Sequence, residues 1–148
     1  MEFSITKRIA TESDTEFARK VHHSAYHGVV VRQFGNWDEK IQDDFFAKSW
    51  KPETHEIIYF NGVACGYCCI EYKPDYIFAS ELVILPEFQG RGIGSEILNK
   101  LKQESEQKKI PIKLQVFKEN QARHLYRRLG FKDVGSKGAH IEMELDPC

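Results

Sequence analysis

Leu82-Val83-Ile84-Leu85-Pro86-Glu87-Phe88-Gln89-Gly90-Arg91-Gly92-Ile93-Gly94-Ser95 is the stretch that decides how this chain is built. Apolar and β-branched residues run up to Pro86, which cannot donate to a sheet ladder and so closes a strand. Glycines then stand at 90, 92 and 94, and apolar residues recur at Ile93, Ile97, Leu98 and Leu101, the stripe of an amphipathic helix. The segment reads as strand, tight turn and helix, with the helix starting among the glycines. Unpaired N–H groups at a helix start carry about half a positive charge between them, and glycine lets an anion reach that backbone without meeting a Cβ.

Spacing separates three kinds of phosphate loop. A dinucleotide fingerprint, Gly-x-Gly-x-x-Gly, fails at Ser95 when counted from Gly90 and at Ile97 when counted from Gly92. A Walker loop needs Gly-Lys-Ser/Thr at its end, and the segment has none. Gln89-x-x-Gly92-x-Gly94 remains, and after a strand ending in Ile84-Leu85-Pro86 it resembles the coenzyme A pyrophosphate loop of the GCN5-related N-acetyltransferase (GNAT) superfamily. Without a second motif, the glycines could simply make a tight strand-to-helix turn.

A second motif follows. Ile112, Leu114 and Val116 alternate with Lys113, Gln115 and Phe117 as a half-buried strand does, and Asn120-Gln121-Ala122-Arg123-His124-Leu125-Tyr126-Arg127-Arg128-Leu129-Gly130-Phe131 comes next. Asn120 suits an N-cap, Ala122, Leu125, Tyr126 and Leu129 share a helical face, and Gly130 stands where a left-handed residue ends a helix. Asn-x-Ala-x-x-Leu-Tyr-x-x-Leu-Gly-Phe also resembles the last motif block of the same superfamily, in the expected order after the glycine loop.

The resemblance implies an α/β (α+β) chain: one N-acetyltransferase domain over residues 1–148, with a mixed sheet of six to seven strands, about four helices, and splayed strands around the coenzyme arm. The elements expected from patterning are a strand at 5–10, a capped helix from Thr11, a helix at 37–50, a hairpin of 55–60 and 63–72 turning at Asn61-Gly62, and a strand at 76–85. Beyond the glycine loop come a helix at 92–108, a strand at 111–117, the Asn120 helix, and strands near 131–134 and 139–145.

Composition narrows the class. With 41% hydrophobic residues in 148, one core is within reach without disulfides or metals. A net charge of −1 gives no general attraction to nucleic acid or anionic membrane, so any phosphate recognition must be local. The N-terminal residues lack a signal-like apolar run and 63–70 is too short to span a membrane, so a cytoplasmic protein is expected. Cys65-Gly66-Tyr67-Cys68 has the spacing of a metal or redox pair, but Cys69 is merely adjacent, Cys148 lies in the tail, and 63–72 reads as strand throughout. Buried, unreactive thiols are expected, with no metal.

The resemblance implies acetyl-CoA as co-substrate. The backbone of Leu82, Val83 and Ile84 would bond the coenzyme arm and thioester oxygen; Gln89, Gly90, Arg91, Gly92, Ile93, Gly94 and Ser95 would hold the pyrophosphate, and Asn120 would contact the arm. Tyr126 stands where the family has the tyrosine that approaches the coenzyme sulfur, and would act as general acid and coenzyme contact; its helical spacing alone reads as core packing. Glu81 is the first candidate for the base that frees the acceptor amine, with Glu71 or water as alternatives. Some protein-acetylating relatives place glutamate five residues before the Asn, and here that residue is Gln115, which cannot act as a base. A small-molecule primary amine is therefore the expected acceptor, attacked directly in a ternary complex. Protein N-terminal or lysine acetylation and a non-catalytic acyl-CoA sensor are the alternatives, and a homodimer is left open.

The segments His22–Tyr26 and Arg32–Gln42 are unusually aromatic and polar and are expected near the acceptor. There Trp37 or Tyr26 could stack on a ligand while Asp38 or Glu39 holds a cation. Alternatively, Asp38 caps the second helix and Trp37 is its hydrophobic staple.

Overall fold

The computed structural model describes residues 3–147. In chain order its strands are β1 (Ile5–Ile9), β2 (Glu56–Phe60), β3 (Val63–Tyr72), β4 (Ile77–Ile84), β5 (Ile112–Phe117), β6 (Lys132–Lys137) and β7 (His140–Leu145). Its helices are α1 (Thr15–Phe34), α2 (Glu39–Ser49), α3 (Ile93–Lys108) and α4 (Ala122–Arg128), and short 3₁₀ turns stand at Glu12–Asp14, Pro52–Thr54 and Pro86–Phe88. The seven strands form one mixed sheet in the order β1-β2-β3-β4-β5-β7-β6. Contacts group the chain into two compact units, Met1–Cys69 with Glu81–Ile93, and Ile70–Ser80 with Gly94–Cys148.

In the first unit, β1 pairs antiparallel with β2, and β2 with β3. The hairpin turns through Asn61 and Gly62, both at positive φ (50° and 82°), the signature of a type I′ turn whose twist matches the strands. Its core gathers Ala18 and Val21 of α1, Phe46 of α2, Trp50, Ile57, Tyr67 and Val83. Gly66 is required for β3 to approach β4, since a Cβ there would stand 2.2 Å from the Val83 carbonyl oxygen.

In the second unit, β4 joins β5 in parallel through Ile77–Ile112 and Phe78–Lys113, and β7 pairs antiparallel with β5 and β6. Ile97, Leu98 and Leu101 of α3 and Ile112, Leu114 and Val116 of β5 are buried, as their periods of 3.6 and 2 require.

Several boundaries differ from those expected for a physical reason. The first helix runs to Phe34, where Gly35 at φ 92° ends it, far beyond its expected apolar stripe. The second helix starts at Glu39 rather than Trp37 because Asp38 caps it, as one of the two readings of this segment has it: its carboxylate accepts from the Ile41 N–H at 3.0 Å. Asn120 stands outside α4, yet its Oδ1 accepts from the Ala122 N–H at 2.9 Å, so it still satisfies a donor at the helix start. Cys148 lies outside the described residues.

Candidate active site

The glycine loop is built by the turn that follows β4. Pro86–Phe88 forms a 3₁₀ turn in which the Phe88 N–H donates to the Leu85 carbonyl at 2.9 Å and the Gln89 N–H to the Pro86 carbonyl at 3.1 Å. Gly90 (φ 76°) and Gly92 (φ 85°) then take left-handed conformations that an L side chain rarely adopts, and α3 begins at Ile93. Its first N–H groups have no partner within the helix. A Cβ on Gly90 would meet nothing within 4 Å, so the backbone there opens outward. The Arg91 guanidinium lies 5.2 Å from the Phe88 ring centroid and 6.0 Å from that of Phe60, which fixes a cation at the loop.

The strand before the loop divides its backbone between two edges. The Leu85 N–H donates to the Cys65 carbonyl at 2.8 Å, and the Val83 carbonyl lies against Gly66, so residues 83 and 85 turn toward β3. Because successive residues of a strand point their amides to opposite edges, Leu82 and Ile84 face away from β3. Gln89 Nε2 already donates to the Ile84 carbonyl at 2.9 Å. Of the backbone groups expected to meet the coenzyme arm, Val83 is thus committed to the sheet and the Ile84 carbonyl to Gln89. The backbone groups of Leu82 and the Ile84 N–H are those turned away from β3. The Gln89 side chain braces the end of the strand.

Glu81 of β4 is half-buried, and its Oε2 lies 2.5 Å from His55 Nε2. His55, just before β2, is 2% exposed, with its ring 4.7 Å from Trp50 and 5.8 Å from Tyr67 between centroids. Its Nδ1 stands 2.8 Å from the Lys51 carbonyl oxygen and 3.0 Å from Thr54 Oγ1. Tyr67 is fully buried and its hydroxyl has no hydrogen-bond partner among the described residues. Burial, with the charges of Glu81 and Tyr26 added, drives the Tyr67 phenol well above its usual range, so it stays protonated. Neither His55 nor Tyr67 stands out in the sequence as a site residue. Their signal is the sheet order alone: β3 lies between β2 and β4, a relation that no local pattern carries.

In the second unit, Tyr126 of α4 packs its ring 5.9 Å from Phe131 and is 9% exposed. Burial pushes its phenol up to about 12. Asn120 has its oxygen engaged by Ala122 and keeps its amide donors for other partners. Glu71, the alternative base, pairs with Lys73 at 3.3 Å. Gln115 is exposed on β5 in register with Glu142, in a groove it shares with Tyr76, Phe78 and Lys113.

Comparison with known proteins decides the family. Residues 51–133, more than half of the chain, match the family described as "Acetyltransferase (GNAT) domain". The chain belongs to the GNAT acetyltransferases. It is an acetyl-CoA-dependent N-acetyltransferase, and the family's reaction requires no metal. No match was found among curated proteins. Among solved structures, this acetyltransferase is similar to the PaiA N-acetyltransferase of Thermoplasma acidophilum in complex with coenzyme A, with 18% identity, 97% of this chain and 99% of that chain covered, and a TM-score of 0.77. It is also similar to the ribosomal-protein-S18-alanine N-acetyltransferase of Escherichia coli, with 19% identity, 97% and 94% covered, and a TM-score of 0.64. A GNAT-family acetyltransferase of Bacillus anthracis gives 13% identity, 97% and 95% covered, and a TM-score of 0.66. At these identities the likeness is one of fold.

The loop of this acetyltransferase fits a pyrophosphate in its donor chemistry, since backbone N–H groups, a helix start and one guanidinium all favour an anion. The aromatic segment is more self-contained than expected. Glu39 accepts from Trp37 Nε1 at 2.8 Å and from Arg19 at 3.0 Å, and Asp43 accepts from Arg19 at 2.8 Å. His23, Glu39 and Asp43 offer ligand atoms within 4.8 Å of one another, but the Arg19 guanidinium already neutralises both carboxylates. Cys65, Cys68 and Cys69 are buried free thiols, and burial pushes Cys65 up to about 11 and Cys68 up to about 12, away from redox reactivity. No helix among the described residues is long and apolar enough to cross a membrane.

Proposed function

We propose that this acetyltransferase, as one domain over residues 1–148, acetylates a primary amine of a small molecule by direct attack in a ternary complex. Acetyl-CoA supplies the thioester carbon that the amine attacks, and the C–S bond breaks as the new C–N bond forms. The N–H groups of residues 90–95 and Arg91 bind the pyrophosphate, the Ile84 N–H and the outward groups of Leu82 orient the arm, and Asn120 offers its amide to it. Glu81 takes a proton from the acceptor ammonium, directly or through a water, which frees the lone pair. Tyr126 gives its proton toward the departing sulfur, and the second proton that the acylated nitrogen sheds as the amide forms restores the phenol. A phenol at about 12 is a weak acid for a free thiol near 8.5. Desolvation of the departing thiolate beside it would raise that thiol's proton affinity and narrow the gap.

The observation that carries the choice of acceptor is Gln115: the strand position where some protein-acetylating relatives place glutamate is neutral and exposed here. The runner-up acceptor, a protein N-terminus, is supported by the likeness in fold to the Escherichia coli enzyme. A panel of amines assayed for free CoA release tests the reading. Turnover with small primary amines is expected, and release only with peptides would reassign the acceptor.

A further inference from the structure

We propose that His55 Nε2 and Glu81 Oε2 share one proton, and that His55 is the positioning residue that aims Glu81 at the acceptor amine. The second half rests on the reading of Glu81 as the base. The first half follows from counting protons. The Lys51 carbonyl can only accept, so His55 Nδ1, 2.8 Å from it, carries a hydrogen. Thr54 Oγ1 donates to the same carbonyl at 3.0 Å and therefore meets Nδ1 as a second acceptor. A neutral imidazole with its hydrogen on Nδ1 has a bare lone pair on Nε2, and a carboxylate oxygen also only accepts. Two lone pairs do not approach to 2.5 Å in a buried site, so a proton lies between Nε2 and Oε2, whichever atom formally holds it.

The ring is fixed from both ends. The His55 N–H donates to the Pro52 carbonyl at 3.2 Å, and the His55 carbonyl accepts from the Ala10 N–H at 3.0 Å. Trp50 and Tyr67 pack against the ring. The Glu81 carboxylate is thereby held by one oxygen, and Oε1 is the atom left to meet a substrate. When Oε1 takes a proton, the ammonium N–H bond breaks, an O–H bond forms, and the nitrogen keeps the electron pair. The pair then holds two protons, and the shared one stays in place.

The test begins on the unmodified protein, with its histidine rings labelled with nitrogen-15. A proton bonded to His55 Nδ1 and a strongly deshielded proton at Nε2 are expected, the latter lost in Glu81→Gln. An Nε2 signal typical of a bare lone pair overturns the shared proton. Kinetics test the positioning. His55→Gln should lower kcat by about 10- to 100-fold, with the acetyl-CoA dissociation constant changed by less than about threefold, because a misaimed base slows chemistry and not coenzyme binding. It should have no further effect in a Glu81→Gln background. Additive losses overturn the positioning role. If Glu81→Gln alone leaves kcat intact while the shared proton is seen, the base assignment and the positioning role fall together and the proton count stands.

Discussion

His55 Nε2 comes within 2.5 Å of Glu81 Oε2 although strand β3 separates β2, which His55 precedes, from β4, which carries Glu81. A carboxylate held by one oxygen loses little orientational freedom when it meets an amine. Glu81→Gln keeps the shape and removes the proton acceptor. Its rate should fall at neutral pH and recover toward alkaline pH, where more of an acceptor amine titrating near about 10 is already unprotonated. Rates measured across that range check this. A uniform rise in KM with kcat intact would make Glu81 a cation-binding residue.

Acetyl-CoA should protect the fold against heat in the presence of EDTA, because the loop's anion donors belong to the chain itself. At a hundredfold excess over the dissociation constant, the stabilisation is about 2.7 kcal/mol. Gly92→Asp should abolish the shift, since φ 85° disfavours any side chain and a carboxylate would repel the pyrophosphate. Thermal melts of both proteins decide it.

Tyr126→Phe should leave coenzyme affinity within about threefold and lower kcat by about a hundredfold, since a proton donor matters as the thiolate leaves. Its phenol, pushed up to about 12, remains protonated through neutral pH, so ionisation of Tyr126 should not limit the rate below pH 10 or so. Steady-state kinetics with both proteins give the answer, and an unchanged kcat would reduce Tyr126 to packing against Phe131.

His22 makes stability depend on acid. Burial, reinforced by His23 and opposed by Asp43, lowers its imidazole from 6.5 to about 4. The unfolded chain therefore binds a proton in a window where the folded one does not. Stability from this group is full above 6.5 and is lost as pH falls toward 4, by at most about 3 kcal/mol. His23, Tyr26 and Phe46 surround the ring, and Asp43 reaches it through His23. Melting temperatures of the wild type should drop across that window, and those of His22→Gln should drop less.

Much of the fold was legible because it is written locally. The change from period two to 3.6 around Gly90 and Asn120 announces a strand feeding a helix, and Asn61-Gly62 announces a hairpin. The single Cys-x-x-Cys pattern was correctly read as strand. The turn between β4 and α3 was legible through glycine spacing. The side-chain cluster on β4 was not: His55, Tyr67 and Glu81 meet only because β2, β3 and β4 lie side by side, and Glu39 is taken by Arg19 from another helix. Backbone direction was also out of reach, because Val83 and Ile84 look alike in sequence and turn their amides to opposite edges.

One competition tests the central claim most directly. Limiting acetyl-CoA is given to the protein with equal concentrations of small primary amines and of peptides bearing free N-termini and lysines, and the products are weighed by mass spectrometry. Acetyl groups should appear on small amines in step with CoA release, while acetylation of the peptides alone, or no CoA release from any acceptor, would contradict it.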